Sequence, residues 1–277
     1  MIELAPHHKT GLAIRSPVMP AAGIAGYSSE RAEVIDWSRW GAFVTNRVTA
    51  RPRLPSGEPV TIDLGAALFV HTGISNPGIV AVIKENQPAW KRVDVPVIVH
   101  VASLTPDDVA ECVVRLAIID SVKGVELGVR DEEDEGAIAA LVAAATEVGG
   151  QPILVRLPLE QAAEYAPACA EAGADALVIA SPPRGTLPHG GGFVSGRLYG
   201  RGTLPLTLRA VRETVDKVNL PIVASGGVHT LEDAQALLAA GASAVQIDTL
   251  IWRDPQAAMS IADAFSSSDE HGGSGHG

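Results

Sequence analysis

The chain has 277 residues, 47% of them hydrophobic but only 4% aromatic, and a formal net charge of −11. An acidic chain with no basic stripe is a poor partner for nucleic acid or for an anionic membrane surface, and no apolar run reaches membrane-spanning length. Cys112 and Cys169 each sit inside a helical pattern; they are too few for a disulfide framework or a zinc site and read as small core residues, and no metal is expected.

The N-terminus, MIELAPHHKT, has no apolar signal segment, and a cytoplasmic location is expected. The first apolar run, 17–20, leads into Ala21, Ala22 and Gly23. The second, 41–45, leads to Asn46 and Arg47 and then to a long connection, 46–78, rich in Pro, Gly and Thr. The third, 95–101, carries His100, and TPDDVAE follows, with Thr105 at a helix N-cap and Pro106 at the first helical position. The fourth, 124–127, runs into Gly128, Arg130 and Asp131. The fifth, 152–157, carries Arg156, and the helix after it ends at Gly173. The sixth, 176–180, ends at Ser181 and opens a second long connection, 181–205, containing PHGGGF. The seventh, 221–224, ends in Ser225-Gly226-Gly227, before a helix that runs from Thr230 to Gly241. The eighth, 244–247, ends in Asp248-Thr249.

Short buried strands alternating with helical patterns make a (β/α)8 TIM barrel the expected fold, with long loops after strands 2 and 6. A doubly wound open sheet competes, but no Gly-rich dinucleotide fingerprint follows the first strand. One domain is expected over 1–265, with a disordered tail over 266–277.

In such a barrel the chemistry sits where the strands end. Arg156, alone in an apolar strand, needs a buried partner; it pairs with Glu126 on the neighbouring strand, clamps a ligand, or does both. His100 is either a satisfied structural residue or a functional one. Gly226-Gly227 would let backbone N–H groups converge on a phosphate. Asp131 reads as the N-cap of RDEEDEGAIAALVAAA or as a loop base, and the cap needs only local physics.

SPVMPAAGIAGYSSE, GAFVTNRVTARPR, HTGISNPG, VPVIVHVASLTPDDVAE, LPLTLRAV and LPIVASGGVHTLEDAQALLAAGASAVQIDTLI, in this order and spacing, resemble the dihydroorotate dehydrogenases of the FMN-containing barrel type. The resemblance runs to about residue 265. It implies FMN at the barrel mouth, its phosphate at Gly200, Ser225, Gly226, Gly227 and Thr249, its ring against Ala21, Ala22 and Gly23, and a homodimer.

Against the family pattern, Asn46 stands for a flavin-contacting Lys, His100 for an Asn, and Gly128 for another Asn. Asp131 falls at the base position, Glu133 at a further Asn, Val70 at a substrate Asn, Arg156 at a Lys, Pro182-Pro183 at Asn-Ser, and Asp248 at a Gly. Losing several side-chain amides, each contributing ~1–3 kcal/mol, removes a site for orotate. The expectation is therefore an FMN-dependent oxidoreductase acting on a small substrate other than dihydroorotate, and not a functional dihydroorotate dehydrogenase. The catalytic candidates are Asp131 and His100. Asn46, His100, Arg156 and Asp248 would meet the cofactor, and Arg47 and Arg130 an anionic substrate. A barrel that has lost its redox chemistry, serving as a scaffold or binding subunit, is the alternative; Asp248 beside a phosphate favours it.

Overall fold

A computed structural model describes residues 1–28, 34–55, 57, 59–102 and 105–266. A short antiparallel hairpin, β1 (Ile2–Glu3) and β2 (Ala13–Ile14), precedes the barrel. The barrel strands are β3 (Val18–Pro20) and β4 (Phe43–Val44), then, after two strands of a connection, β5 (Val60–Asp63) and β6 (Leu68–His71), a helix α1 (Ile79–Trp90) and β7 (Val97–Val101). From there strand and helix alternate: α2 (Pro106–Ala117), β8 (Val122–Gly128), α3 (Glu135–Val148), β9 (Ile153–Pro158), α4 (Ala162–Glu171) and β10 (Ala176–Ser181). A second insertion supplies β11 (Arg184–His189) and β12 (Gly192–Tyr199), and α5 (Leu204–Val215), β13 (Ile222–Ser225), α6 (Leu231–Ala239), β14 (Ala244–Ile247), α7 (Leu250–Arg253) and α8 (Pro255–Ser266) complete the chain.

The eight expected strands all form, in the order β3-β14-β13-β10-β9-β8-β7-β4, every pair parallel. The two end strands meet where the Gly41 N–H donates to Val18 O at 2.7 Å. A Cβ at Gly41 would lie 2.0 Å from Ser16 O, so the seam closes only on glycine. The result is a nearly closed TIM barrel.

Strand alternation sorts the side chains into two sets. One set packs outward against the helices, including Val97, Val99, Val125, Val155 and Leu177. The other fills the barrel: Met19, Val44, Ile98, Leu154, Val178 and Val223 pack together, with Leu4, Leu12 and Ile14 of the β1–β2 hairpin closing one end. Cys112 and Cys169 are buried as small core residues.

Local signals hold where they are strongest. The Thr105 hydroxyl accepts the Asp108 N–H at 3.2 Å, and Thr230 and Asp233 form a reciprocal capping box. Gly173 and Gly241 end their helices at φ +97° and +112°. The two long connections are not loops throughout. β5, β6, β11 and β12 make one antiparallel sheet, in the order β11-β12-β6-β5. Both segments leave the C-terminal ends of barrel strands, so this sheet stands over the mouth. Residues 267–277, to which the tail expectation applies, lie outside the described residues. Among the described residues no helix is long and apolar enough to cross a membrane, and no group of three His, Cys, Asp or Glu could hold a metal ion.

Candidate active site

One step further along the strands the inward positions turn polar. Glu126, His100, Arg156, Gln246 and Ser225 are all at least 96% buried and form one network. Glu126 Oε1 accepts from Arg156 Nη1 at 3.1 Å and lies 2.8 Å from His100 Nδ1. Gln246 Nε2 donates to Glu126 Oε2 at 2.6 Å, and Arg156 donates to Gln246 Oε1 at 2.7 Å and to Ser225 Oγ at 2.7 Å. Every charge in the layer has a partner, the condition for charges to survive burial.

Burial alone would push the Glu126 carboxyl up; Arg156, His100 and Gln246 outweigh it and hold the group at about 2. Burial pushes His100 down, against the pull of Glu126. An ionised Glu126 fixes the tautomer: Nδ1 carries the proton and donates, leaving Nε2 as an acceptor. The expected Arg156–Glu126 pair is therefore present. Gln246, which sequence reasoning missed, sits two positions before Asp248 on the same inward face, a period-two signal that was available.

Gly128 and His100 explain each other. A Cβ at Gly128 would lie 2.7 Å from His100 Nε2, so the imidazole occupies the space that a side chain on β8 would need. Gly128→Ala is expected to cost ~1–3 kcal/mol by overpacking. Denaturant unfolding should show that most of this cost disappears in the His100→Ala background; equal costs in both backgrounds would refute the exchange of volume.

At the next strand ends lies a glycine cradle. Gly226 and Gly227 have φ +120° and +86°. The turn from Gly200 to Leu204 packs onto them, with the Thr203 hydroxyl donating to Gly200 O at 2.9 Å. Asp248, 2% exposed, does not reach Arg253, which pairs with Asp63. Its Oδ1 instead accepts from the Thr249 N–H at 2.5 Å and hydroxyl at 3.1 Å. Burial pushes its carboxyl above the ordinary value, against Thr249 and His229.

Three polar atoms buried around the mouth have no partner among the described residues: Asn46 Oδ1, His229 Nε2 and Asp248 Oδ2. Orphaned polar atoms grouped with a backbone cradle are what a polar ligand would satisfy. The ring-side stretch fits too: Ala21 and Ala22 are buried. The Arg47 guanidinium stands 3.7 Å from where a Gly23 Cβ would be and donates to Tyr199 Oη at 3.2 Å. The donors and the small residues thus suit a phosphorylated, flat cofactor, with Asp248 a residue whose charge opposes it.

Asp131 is not the helix cap. Asp134 caps α3, its Oδ1 accepting the Ala137 N–H at 2.8 Å. Asp131 is drawn out to the cap sheet instead, 2.7 Å from Arg184 Nε and 2.9 Å from Arg197 Nη1. Arg197 also donates to Pro182 O. With two guanidinium groups on it, Asp131 is a latch for the β11–β12 hairpin. Arg130 likewise spends its charge on Glu133, at 2.9 Å. Arg184 is half exposed, so Asp131→Ala should cost only ~1 kcal/mol or less. It should still speed proteolysis at the hairpin tip, and unchanged cleavage there would rule out the latch.

A family model described as "Dihydroorotate dehydrogenase" matches residues 7–268. The catalytic subunit of dihydroorotate dehydrogenase B (NAD(+)) from Pelobacter propionicus is 32% identical, covering 95% of this chain and 92% of that protein. The same subunit from Trichlorobacter lovleyi is 32% identical over 92% of this chain and 90% of that one. A crystal structure of DHODH in complex with ferulenol, from Eimeria tenella, superposes with a TM-score of 0.76 at 18% identity, over 95% of this chain and 85% of that one, and supports the fold.

These relatives overturn the expectation that the chain is not a functional dihydroorotate dehydrogenase, and with it the barrel stripped of that activity. Two of the departures also fit their surroundings: His100 fills the room at Gly128, and Arg156 is paired within the polar layer. With its family match and relatives spanning nearly the whole sequence, the chain belongs to the dihydroorotate dehydrogenase family of FMN-dependent flavoprotein oxidoreductases.

Proposed function

We propose that this chain oxidises a small carboxylic acid of the dihydroorotate class, with FMN held between the glycine cradle and the Ala21–Ala22–Gly23 stretch. The observation that carries this is the closed polar layer of His100, Glu126, Arg156 and Gln246 at the barrel mouth, beside that cradle. Bound FMN supplies the two-electron acceptor. The protein's own contribution is placement: Arg156, preorganised by Glu126 and Gln246, favours negative charge developing above it, while His100 presents Nε2 as a fixed acceptor. Arg47, half-buried and steadied by Tyr199, is the cation available for a substrate carboxylate. The cap sheet, latched through Asp131, would exclude water.

The test is direct. Purified protein supplied with FMN and dihydroorotate, with ferricyanide as acceptor, should form orotate, and Arg47→Ala should raise KM more than it lowers kcat. A fixed guanidinium at this place also suits other small acids. A parallel panel of cyclic and hydroxy acids therefore reads specificity, and turnover of a panel member with dihydroorotate silent would favour a different substrate. No flavin reduction by any of them would sink the oxidoreductase reading.

A further inference from the structure

Asp248 Oδ2 and His229 Nε2 are left unsatisfied in the same cradle. His229 stands two positions after Gly227 on the turn leading to α6, and the Asp248 carboxyl also faces the Gly227 N–H. No hydrogen bond joins the two side chains, yet each feels the charge of the other. The other charged groups around them are committed elsewhere. Arg201 pairs with Asp233 at 3.1 Å. Asp233 accepts the N–H groups of His229 and Thr230 at 3.1 and 3.0 Å. Arg253 is held by Asp63 and Gly65 O. Among the described residues no neighbouring cation is therefore free to neutralise Asp248 when a phosphate arrives.

We propose that Asp248 and His229 are phosphate ligands of this cradle that take up one proton between them when FMN binds, so that the chain holds its cofactor by a proton as well as by backbone N–H groups. The inference rests on the FMN reading above. Without FMN, burial favours the neutral form of both side chains, raising Asp248 and lowering His229. An arriving phosphate favours a proton on either: the protonated carboxyl would donate from Oδ2, the imidazolium from Nε2. Where one extra proton is bound in the complex, affinity falls by up to about tenfold per pH unit. The phosphate's own second ionisation, near pH ~6, works the other way by adding charge for the backbone donors. A fall in affinity with rising pH is therefore the signature of the pair.

The experiment is an equilibrium titration of cofactor-free protein with FMN, read by quenching of flavin fluorescence, from about pH 5.5 to about pH 8.5. Riboflavin, which lacks the phosphate, serves as comparator. FMN affinity should fall with pH while riboflavin affinity stays flat. Asp248→Asn should flatten the FMN profile and bind FMN more tightly than wild type at the alkaline end, and His229→Gln should reduce the slope. Riboflavin affinity reports that each variant is folded. Identical pH profiles for FMN and riboflavin, or the full wild-type slope in both variants, would overturn the proposal. Failure of the wild type to bind FMN at any pH would instead overturn the FMN reading and the proposal with it.

Discussion

Glu126→Ala is expected to lower the unfolding free energy by ~3–5 kcal/mol, because it leaves Arg156 as an uncompensated buried charge. Glu126 is fully buried and bonded to three side chains, so nothing from solvent can replace it. Glu126→Gln keeps the shape and one set of hydrogen bonds but removes the charge, and should fall between the two. Acid adds an independent check. The carboxyl sits at about 2 in the folded protein against an ordinary 4.5. A depressed folded value means that stability is fully present above about 4.5 and is lost as the pH falls toward about 2. Denaturant unfolding across that window should show a steep loss in the wild type and a shallower one in Glu126→Gln. Equal slopes would mean that the layer is not ionised as described.

Gly227→Ala is expected to damage both the fold and the cofactor site. The added Cβ would stand 2.4 Å from Leu204 N and 2.6 Å from Leu204 Cα, at φ +86°. These neighbours are backbone at the start of α5, so relief requires moving the helix rather than turning a side chain. Left-handed strain and overpacking together suggest a loss of ~2–4 kcal/mol. FMN affinity should drop at least about tenfold, the effect of a misplacement worth ~1.4 kcal/mol. Gly226→Ala is the internal comparison. Its Cβ would meet only the Thr207 and Thr203 hydroxyls, at 3.3 and 3.5 Å, and should be milder. A Gly227→Ala protein with wild-type melting temperature and FMN affinity would refute the close approach.

The barrel was legible because its signals are local: short apolar strands, capped helices, and glycines at helix ends such as Gly173 and Gly241. The Arg156–Glu126 pair was legible because a lone arginine in an apolar strand needs a carboxylate nearby. The cap sheet was not, since its pairing brings β6 beside β12 across much of the sequence and no local pattern fixes such a register. One clue went unused. Gly190 and Gly191, at φ +58° and +80°, form the two-residue turn of the β11–β12 hairpin, a Gly-Gly signal typical of that turn. Asp131 misled for a related reason. DEEDE offers acids at several helix starts, and the choice of Asp134 was settled by arginines on a distant hairpin that draw Asp131 away. Taking residues one position at a time likewise hides that His100 fills the space beside Gly128.

The cover over the mouth also has a bearing on how the protein is made. Pairing between β6 and β12 joins segments on either side of four barrel strands in sequence. Contacts that span so much chain carry a large closure cost and form late, after neighbouring strand–helix units have docked. A newly synthesised chain would thus pass through a stage in which the polar layer and cradle exist with no roof. That stage gives a bulky cofactor its widest entrance.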